Sequence, residues 1–462
     1  MSAELNRRSF IKAAVASSMA LAASVGLKAG AEEVTPPPAA PTPTPGPAPV
    51  GDPGMMGFKV APMEKVRVAF VGVGGRGTGH VNDLLHIDGV EVKAICDIDE
   101  SHAKRSQDLV TKAGQPSPEL YTKGDTDYKR LCQRDDVDII YNATPWNWHC
   151  PIAVEAMKNG KHIAVEVPTV ETLEECWELV ETAEKTKRHC MLLENCCYGD
   201  SELFVLNMVR QGVFGELNHG EAAYIHDLRR PLFSGQGEGK WRLKPTTEKN
   251  GNIYPTHGLG PVAQYMNINR GDRFDYLVSM SSPARGMHAY ALDKFGADDP
   301  RSKLNFVHGD MNTSLIKTVN GQTIMLQHDT TSPRPYSRIN MISGVKGMFY
   351  GYPDRLTFGH EFLKPEEYTT YQKKYEHPLW KKVGEMAKKM GGHGGMDYIM
   401  NYRLMDCLRR GLPLDIDVYD SVSWSVVTEL SIKSLANKSA PQDFPDFTRG
   451  RWKTGTPLGI VE

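Results

Sequence analysis

The chain has 462 residues, and its 54 basic and 56 acidic residues leave a formal net charge of −2. This balance gives no sign of a nucleic-acid partner or of binding to a membrane surface. The eight cysteines lack metal-ligand spacing, and the adjacent pair Cys196 and Cys197 is a poor geometry for an ordinary disulfide. We therefore expect neither a metal site nor a disulfide framework.

The first 31 residues are predicted to be an export signal. Arg7 and Arg8 precede an apolar stretch at residues 13–25, and Ala-Gly-Ala at residues 29–31 is a small-residue cleavage site. Paired arginines favour the Tat route, so we expect a periplasmic or secreted protein that folds before export. The apolar stretch is too short and too rich in Ala and Ser for a stable membrane span, although an uncleaved anchor stays open.

Residues 32–62 are rich in Pro, Thr, Ala and Gly and cannot bury a core of their own, so we expect an extended linker. The folded part then runs from about residue 63 to residue 462, a length that supports two domains. We place the boundary between them after residue 197, where the pattern of the sequence changes.

The most informative pattern follows the linker. The apolar run at residues 66–71 ends in Gly72-x-Gly74-x-x-Gly77, and a second apolar run ends at Asp97. Gly72 allows a tight turn, Gly74 lets the backbone approach a pyrophosphate, and Gly77 lets the next helix lie close to the strand. The helix start offers N–H groups to the phosphates, and Asp97 is placed to bind the ribose hydroxyls of NAD. The turn residues that we assign to the cofactor are Gly72, Gly74, Gly75, Arg76 and Gly77.

Strand and helix patterns alternate through the rest of the first domain. Buried strands are predicted at residues 137–145, 162–168 and 190–195, with intervening helices at residues 151–159 and 173–186. This is the alternation of a parallel, doubly wound sheet. We therefore predict an α/β protein in which residues 63–197 form an NAD-binding Rossmann domain.

Polar and aromatic residues follow three of these predicted strands. Because ligands of such sheets lie outside the carboxyl ends of the strands, we expect these residues to line the nicotinamide half of the NAD site. Glu166 is a candidate to bind the nicotinamide ribose. The full set is Trp146, Asn147, Trp148, His149, Glu166, Val167 and Asn195.

After residue 198 the pattern changes to strands with few intervening helices. Strands are predicted at residues 221–226, 274–280, 312–319 and 323–328, with closing helices at residues 397–410 and 421–435. Asn320-Gly321 is a hairpin turn between two of the strands. We therefore predict that residues 198–462 form a substrate-binding α/β domain on an open, mostly antiparallel sheet.

At this point the chain resembles the glucose–fructose oxidoreductase/inositol dehydrogenase family, over essentially all of residues 63–462. That family joins a Rossmann domain to an open-sheet domain, with the active site between them. Its catalytic lysine lies in a Glu-Lys-Pro segment, where this chain has Val167, and its aspartate four residues before the catalytic histidine is Ile253 here. The histidine itself, His257, is present. These replacements argue against an ordinary alcohol dehydrogenase of that family.

The replacements are similar to those of one branch, glycoside hydrolase family 109. Five segments carry this resemblance: Trp146-Asn147-Trp148-His149, Glu166-Val167-Pro168, Glu194-Asn195-Cys196-Cys197-Tyr198, Tyr254-Pro255-Thr256-His257 and Gly392-His393-Gly394-Gly395-Met396-Asp397-Tyr398. The resemblance implies an α-N-acetylgalactosaminidase with tightly held NAD. The expected partner is a glycan or glycoconjugate with terminal α-linked N-acetylgalactosamine, and a homo-oligomer stays open.

The resemblance also implies hydrolysis by a redox detour. NAD takes a hydride from C3 of the sugar, a base removes the acidified C2 proton, and the aglycone leaves from C1. Water then adds to C1 and the hydride returns, so that the cofactor is regenerated at every turnover. Such an enzyme can work outside the cytoplasm, which links the export signal to the glycine turn.

His257 is the first candidate for proton transfer, because its ordinary pKa suits acid–base work near neutrality. Tyr254 is a second candidate, and Tyr198 is a third. His393 lies between glycines. We interpret it first as a loop-forming residue, and a catalytic role for it stays open. The residues assigned to the sugar are Tyr224, Arg242, Tyr254, Pro255, Thr256, His257 and Tyr336.

Two other functions stay open. The first is an exported, NAD- or NADP-dependent sugar oxidoreductase of the wider family, which would release an oxidised product. The second is a non-catalytic protein that binds a sugar or a nucleotide. The replaced lysine and aspartate argue against the first, and the clustered His, Tyr and Glu at strand ends argue against the second.

Overall fold

The structure, a computed structural model, describes residues 52–459. The predicted export signal and residues 32–51 of the predicted linker lie outside the described residues. Among the residues that are described, no helix is both long enough and apolar enough to cross a membrane.

Six strands form a parallel sheet in the first part of the chain. Their bounds are β1 Val66–Val71, β2 Val90–Cys96, β3 Glu119–Tyr121, β4 Ile139–Asn142, β5 His162–Val165 and β6 Cys190–Leu192. They lie in the order β3-β2-β1-β4-β5-β6, and each neighbouring pair is parallel. The helices between them are α1 Gly75–Leu84, α2 Glu100–Lys112, α3 Tyr128–Cys132, α4 His149–Lys158 and α5 Leu173–Thr186. The predicted doubly wound sheet is confirmed.

Local sequence explains where two of these helices begin. Helix α5 has the predicted bounds, because Thr172 and Glu175 form a capping box at its N-terminus. Helix α4 begins at His149, two residues before the predicted start. Pro151 is compatible with this earlier start, since a proline in the first turn of a helix lacks only an N–H group that has no partner there.

Eight strands form the second sheet. Their bounds are β7 Leu217–Ile225, β8 Phe274–Ser281, β9 Asn312–Thr318, β10 Thr323–Asp329, β11 Met341–Gly344, β12 Gly347–Tyr350, β13 Arg355–Thr357 and β14 Gln442–Asp443. They lie in the order β13-β12-β11-β7-β10-β9-β8-β14. All neighbouring pairs are antiparallel except β7 and β10, so the prediction of a mostly antiparallel sheet is confirmed.

The predicted hairpin turn joins β9 to β10. Gly321 has φ +98°, a conformation that glycine adopts without steric cost. Lys317 pairs with Thr323 at the end of the ladder. The turn therefore fixes the register of β9 against β10, as expected for an Asn-Gly pair between two strands of alternating sequence.

The helices of the second part are α6 Asp200–Arg210, α7 Arg229–Leu232, α8 Lys244–Glu248, α9 Thr256–Tyr265, α10 Gly286–Phe295, α11 Pro365–Tyr375, α12 Pro378–Met390, α13 Met396–Arg410, α14 Val418–Ser425 and α15 Val427–Ala436. Helices α13 and α14 pack back onto the first domain. Tyr398 of α13 donates to the His86 carbonyl at 3.0 Å, and Ser421 of α14 accepts from the Leu192 N–H at 3.0 Å. The predicted helix at residues 421–435 is in fact two helices, α14 and α15.

The folded body begins before the predicted end of the linker at residue 62. Met55 is buried, and its N–H donates to the Tyr419 hydroxyl at 3.1 Å. Arg451 donates to the Asp52 carbonyl at 2.7 Å. The Pro-rich composition of residues 32–62 taken together hides this segment, in which Met55 lies in the hydrophobic core and Met56, Phe58 and Val60 pack against it.

Candidate active site

The glycine turn after β1 has the geometry of a dinucleotide site. Gly72 has φ +82°, and a Cβ atom on Gly77 would lie 1.9 Å from the Gly72 carbonyl oxygen, so both positions require glycine. A Cβ on Gly74 or Gly75 would meet no protein atom within 4 Å. Packing within the protein therefore does not explain these two glycines, whereas the close approach of a pyrophosphate does.

Asp97 lies where the adenosine ribose of NAD is expected. Its Oδ2 accepts the Val73 N–H at 2.7 Å, and its Oδ1 accepts the Asp99 N–H at 2.8 Å. These bonds fix the carboxylate at the end of β2 and tie it to the glycine turn. Each oxygen keeps further acceptor capacity, so the side chain fits a ribose diol.

The loop after β4 closes with aromatic rings the end of the crevice where the nicotinamide is expected. Trp146, in the single turn Trp146–Trp148, packs its ring 5.2 Å from Trp241 and 5.8 Å from Tyr254. His149 is buried, and its two ring nitrogens lie 2.6 Å from the Pro168 carbonyl and 2.8 Å from the Thr144 carbonyl. Its ring is therefore occupied by the backbone, and its contribution to the cofactor site is to shape this loop.

Glu166 follows β5, at the same edge of the sheet. Its Oε1 accepts from Arg76 Nε at 2.6 Å and lies 2.7 Å from His80 Nε2. Burial opposes ionisation of Glu166, but the contacts with Arg76 and His80 outweigh it, so its pKa lies well below the ordinary value. The side chain is therefore a fixed carboxylate beside the glycine turn.

Asn195 follows β6 and reaches across to the second domain. Its Nδ2 donates to Asp397 Oδ1 at 2.6 Å, while Asp397 Oδ2 accepts from Arg76 Nη1 at 2.5 Å and lies 2.8 Å from His393 Nδ1. The three predicted strand ends thus meet at one crevice, and the fold adds Asp397 to it.

His393 lies on a strained loop at this crevice. All five residues from Gly391 to Gly395 have positive φ, and His393 itself has φ 50°. A non-glycine residue in this region indicates stored strain, which is concentrated at functional sites. Its side chain is 59% exposed, and the hydrogen bond to Asp397 raises its pKa. The position of His393 is therefore compatible with both predicted roles, as a loop-forming residue and as a catalytic one.

The second sheet and helix α9 contribute an aromatic cluster. The rings of Tyr224, Tyr254 and His257 lie 4.7 to 5.3 Å apart, and the Arg242 guanidinium lies 4.5 Å from the centre of the Tyr254 ring. Burial raises the pKa of both tyrosines, so their hydroxyls stay protonated. Four of the predicted sugar or proton-transfer residues are thus brought together, close to Trp146.

His257 is held by a residue that the sequence analysis did not assign. Its Nδ1 lies 2.8 Å from Glu194 Oε1, and Glu194 is fully buried. Burial opposes ionisation of Glu194, but its interactions with His257 outweigh this, so the pKa of Glu194 is lowered. An ionised Glu194 requires Nδ1 to be the donor, which leaves Nε2 of His257 to exchange protons with a ligand. The available signal was that Glu194 follows a strand, as Glu166 does.

Cys196 lies beside this pair. Potential ligand atoms of Glu194, Cys196 and His257 lie within 4.8 Å of one another, the one such group among residues 52–459. Burial raises the pKa of the Cys196 thiol well above its ordinary value, which disfavours the thiolate that a metal would need. The geometry is thus that of a carboxylate–histidine pair with a neutral thiol beside it.

His226 is a second residue that the sequence analysis missed. Its Nδ1 lies 3.0 Å from the Tyr224 hydroxyl, and its ring lies 5.0 Å from the ring of Tyr336, which is 40% exposed. Burial lowers the pKa of His226, and the charges of Arg242, His257 and His393 lower it further. The signal was its spacing of two residues from Tyr224, which puts both on one face of the extended chain where β7 ends.

Tyr198 is not part of this cluster. It is buried, and its hydroxyl donates to Asp415 Oδ2 at 3.4 Å, where Arg403 also binds. Its predicted catalytic role is therefore corrected to a structural one. Pro255 and Thr256 are buried at the start of α9, where they hold Tyr254 and His257 in place.

Comparison with known proteins agrees with this geometry. Residues 66–193 match the model of the oxidoreductase family with an NAD-binding Rossmann fold. The solved structure of levoglucosan dehydrogenase in complex with NADH has a similar fold, with a TM-score of 0.63 and 17% identity over 82% of this chain and 99% of that chain. The chain is therefore an NAD-binding protein with a Rossmann domain and a second, open-sheet domain.

The second domain defines the family. Residues 198–454 match the model described as glycosyl hydrolase 109, C-terminal domain. A glycosyl hydrolase family 109 protein of Shewanella pealeana is 52% identical over 99% of both chains. A protein of Shewanella oneidensis named alpha-N-acetylgalactosaminidase is also 52% identical over 99% of both chains. The chain belongs to glycosyl hydrolase family 109 and is a glycosidase with an NAD-binding domain, which confirms the resemblance seen in the sequence.

Proposed function

We propose that the protein is an exported enzyme that removes terminal α-linked N-acetylgalactosamine from glycans by a redox-neutral, NAD-dependent reaction. The observation that carries the proposal is the pair of His257 and Glu194, which stands among sugar-binding aromatics in the crevice of a dinucleotide fold. The name of the Shewanella oneidensis relative supports the choice of sugar.

The carboxylates of the crevice argue against an ordinary glycosidase mechanism. Glu166, Glu194 and Asp397 are each engaged in an ion pair or a carboxylate–histidine pair. An ordinary glycosidase needs one carboxyl group free to protonate the leaving oxygen and another free to attack or to activate water. Proton transfer in this site therefore falls to histidine and tyrosine.

NAD, when bound, supplies reversible hydride transfer at C3 of the sugar. The proton of the C3 hydroxyl passes through the Tyr224 hydroxyl to His226 Nδ1, which lies 3.0 Å away. His257 Nε2 accepts the proton from C2, and Glu194 stabilises the imidazolium that forms. Tyr254 and Tyr224 donate hydrogen bonds from protonated hydroxyls, and Arg242 holds the ring of Tyr254. Trp146 excludes water from the nicotinamide end of the crevice.

His393 is the candidate acid for the departing aglycone. Its raised pKa keeps it protonated to higher pH than an ordinary histidine, and its exposure suits a group that faces the outer part of the substrate. Asp397 stabilises the protonated form from 2.8 Å. The two histidines thus divide the work, with His257 as base and His393 as acid.

Export fits this chemistry. An enzyme that restores its own cofactor needs no external NAD pool, and the Tat route carries proteins that have already folded around a cofactor. A periplasmic or secreted location is therefore part of the proposal.

The test is turnover of an aryl α-N-acetylgalactosaminide in D₂O with no added NAD. Released N-acetylgalactosamine is expected to carry deuterium at C2, without net formation of NADH or of an oxidised sugar. Product without deuterium at C2 would contradict the elimination step. Accumulation of an oxidised sugar would indicate an oxidoreductase, and absence of turnover on a panel of α- and β-glycosides would indicate a binding protein.

A further inference from the structure

Five polar side chains form a closed ring between the glycine turn and helix α13. Arg76 donates from Nε to Glu166 Oε1 at 2.6 Å and from Nη1 to Asp397 Oδ2 at 2.5 Å. His80 Nε2 lies 2.7 Å from Glu166 Oε1, and Asn401 Nδ2 lies 3.0 Å from His80 Nδ1. Asp397 and Asn401 are one turn apart on α13, so the helix closes what we call the α13 ring.

Asp397 has three side-chain partners. Besides Arg76 it binds Asn195 Nδ2 at 2.6 Å and His393 Nδ1 at 2.8 Å. Burial opposes its ionisation, but the bond from His393 and the charge of Arg76 outweigh this and hold its pKa well below the ordinary value. This one carboxylate therefore ties together the glycine turn, the segment after β6 and its own loop.

The α13 ring borders both halves of the expected cofactor site. Arg76 lies within the turn that faces the pyrophosphate, while Glu166 and Asn195 lie at the strand ends expected beside the nicotinamide. Two nitrogens of Arg76 are occupied by carboxylates. Arg76 therefore acts on the cofactor mainly by fixing the shape of the turn.

We propose that Asp397, a residue of the second domain, is a positioning residue for NAD that slows its release by holding Arg76 and the glycine turn. The proposal extends the NAD site beyond the Rossmann domain. Slow release suits the proposed function, because an enzyme that regenerates its cofactor gains nothing from exchanging it. The α13 ring and its effect on NAD can nevertheless be tested without any glycoside.

The test compares Asp397→Asn with a matched control, Asp415→Asn. Like Asp397, Asp415 is a buried carboxylate paired with an arginine, but it lies outside the α13 ring. It accepts two hydrogen bonds from Arg403, each at 2.9 Å. Each purified variant is dialysed, denatured and assayed for released NAD, and the rate of NAD release from the native protein is followed by exchange with labelled NAD. We expect release at least about tenfold faster in Asp397→Asn, because a charged hydrogen-bond acceptor is lost.

The control is expected to lose thermal stability and to keep its NAD. Wild-type release from a folded Asp397→Asn variant would overturn the proposal, and so would equally fast release from both variants, which would indicate general loosening. If Asp397→Asn does not fold, Asn401→Ala opens the α13 ring at the other end, with an expected increase of about threefold. Unchanged release from Asn401→Ala would then overturn the proposal.

Discussion

Two histidine–carboxylate pairs face the crevice with the same 2.8 Å separation and opposite surroundings. The His257 side chain is 11% exposed, and the residue lies in the first turn of helix α9. Its partner Glu194 is fully buried. His393 is largely exposed on a loop in which every residue from Gly391 to Gly395 has positive φ. The comparison teaches that one kind of contact can be built in two environments, and in the proposed function burial assigns His257 to the base and exposure assigns His393 to the acid.

The buried pair suits a base. An ionised Glu194 fixes the tautomer of His257, so a lone pair on Nε2 is presented without further rearrangement. The exposed pair suits an acid, because the hydrogen bond to Asp397 raises the pKa of His393 and the side chain of His393 is open to solvent. The buried histidine should then govern the rate for all substrates, and the exposed one should govern it most strongly for substrates with poor leaving groups.

The largest effect is expected from His257→Ala. Loss of a general base should reduce kcat by about 10²–10⁴-fold while NAD content and folding stay normal. The measurement is kcat on an activated aryl glycoside, with NAD quantified after denaturation. Near-full activity would move the base to Tyr254 or His226, since the ring of His149 is occupied by backbone carbonyls and Tyr198 lies elsewhere.

The next effect is expected from Glu194→Gln. The substitution keeps the size of the side chain but removes its charge, so kcat should fall by about ten- to a hundredfold with little change in KM. An unchanged kcat in a folded Glu194→Gln variant would mean that Glu194 takes no part in the proton transfer.

A double variant separates these possibilities further. If Glu194 acts through His257, Glu194→Gln should cost almost nothing in a His257→Ala background. An additive loss would instead mean that Glu194 acts independently of His257, and the comparison between the two pairs would fail.

His393→Ala is expected to depend on the substrate. Activity should fall by about tenfold or more on glycosides with poor leaving groups and much less on those that leave as stable phenolates. Because the pKa of His393 is raised, its acid function is present below that pKa and is lost as pH rises through it. We therefore expect an alkaline decline of activity in the parent enzyme and no such decline in the variant. An equal loss on all leaving groups would contradict the assignment of His393 as the acid.

The two pairs also show what sequence can and cannot predict. The glycine turn was predictable because Gly72 and Gly77 meet local backbone requirements within one short segment. The strand ends were predictable because parallel strands bring their carboxyl ends to one edge. Glu194 was not assigned to His257, although both stand in noted segments, because their contact joins residues far apart in sequence. Asp397 was missed for the same reason.

Two errors have other physical causes. Tyr198 belongs to a segment that contributes Asn195 to the crevice, but its own hydroxyl reaches Asp415 instead. Residues 52–62 were assigned to the linker because the stretch 32–62 as a whole is rich in Pro, Thr, Ala and Gly, yet Met55 is buried and its N–H binds a distant tyrosine. In both cases the outcome depends on a partner that the local sequence does not contain.

The smallest effect is expected from Tyr336→Phe, at the exposed rim of the aromatic cluster. Arg338 Nη1 donates to the Tyr336 hydroxyl at 2.9 Å, so the hydroxyl is left to donate its own proton to an acceptor on the sugar. Its loss should raise KM by about two- to tenfold, with kcat nearly unchanged, because one neutral hydrogen bond is removed. Tyr352→Phe is the matched control, since that ring packs beside both Tyr336 and Arg338 without belonging to the predicted sugar site. An equal effect of the two variants would mean that Tyr336 only supports packing around Arg338, and that sugar recognition is confined to the buried side of the cluster.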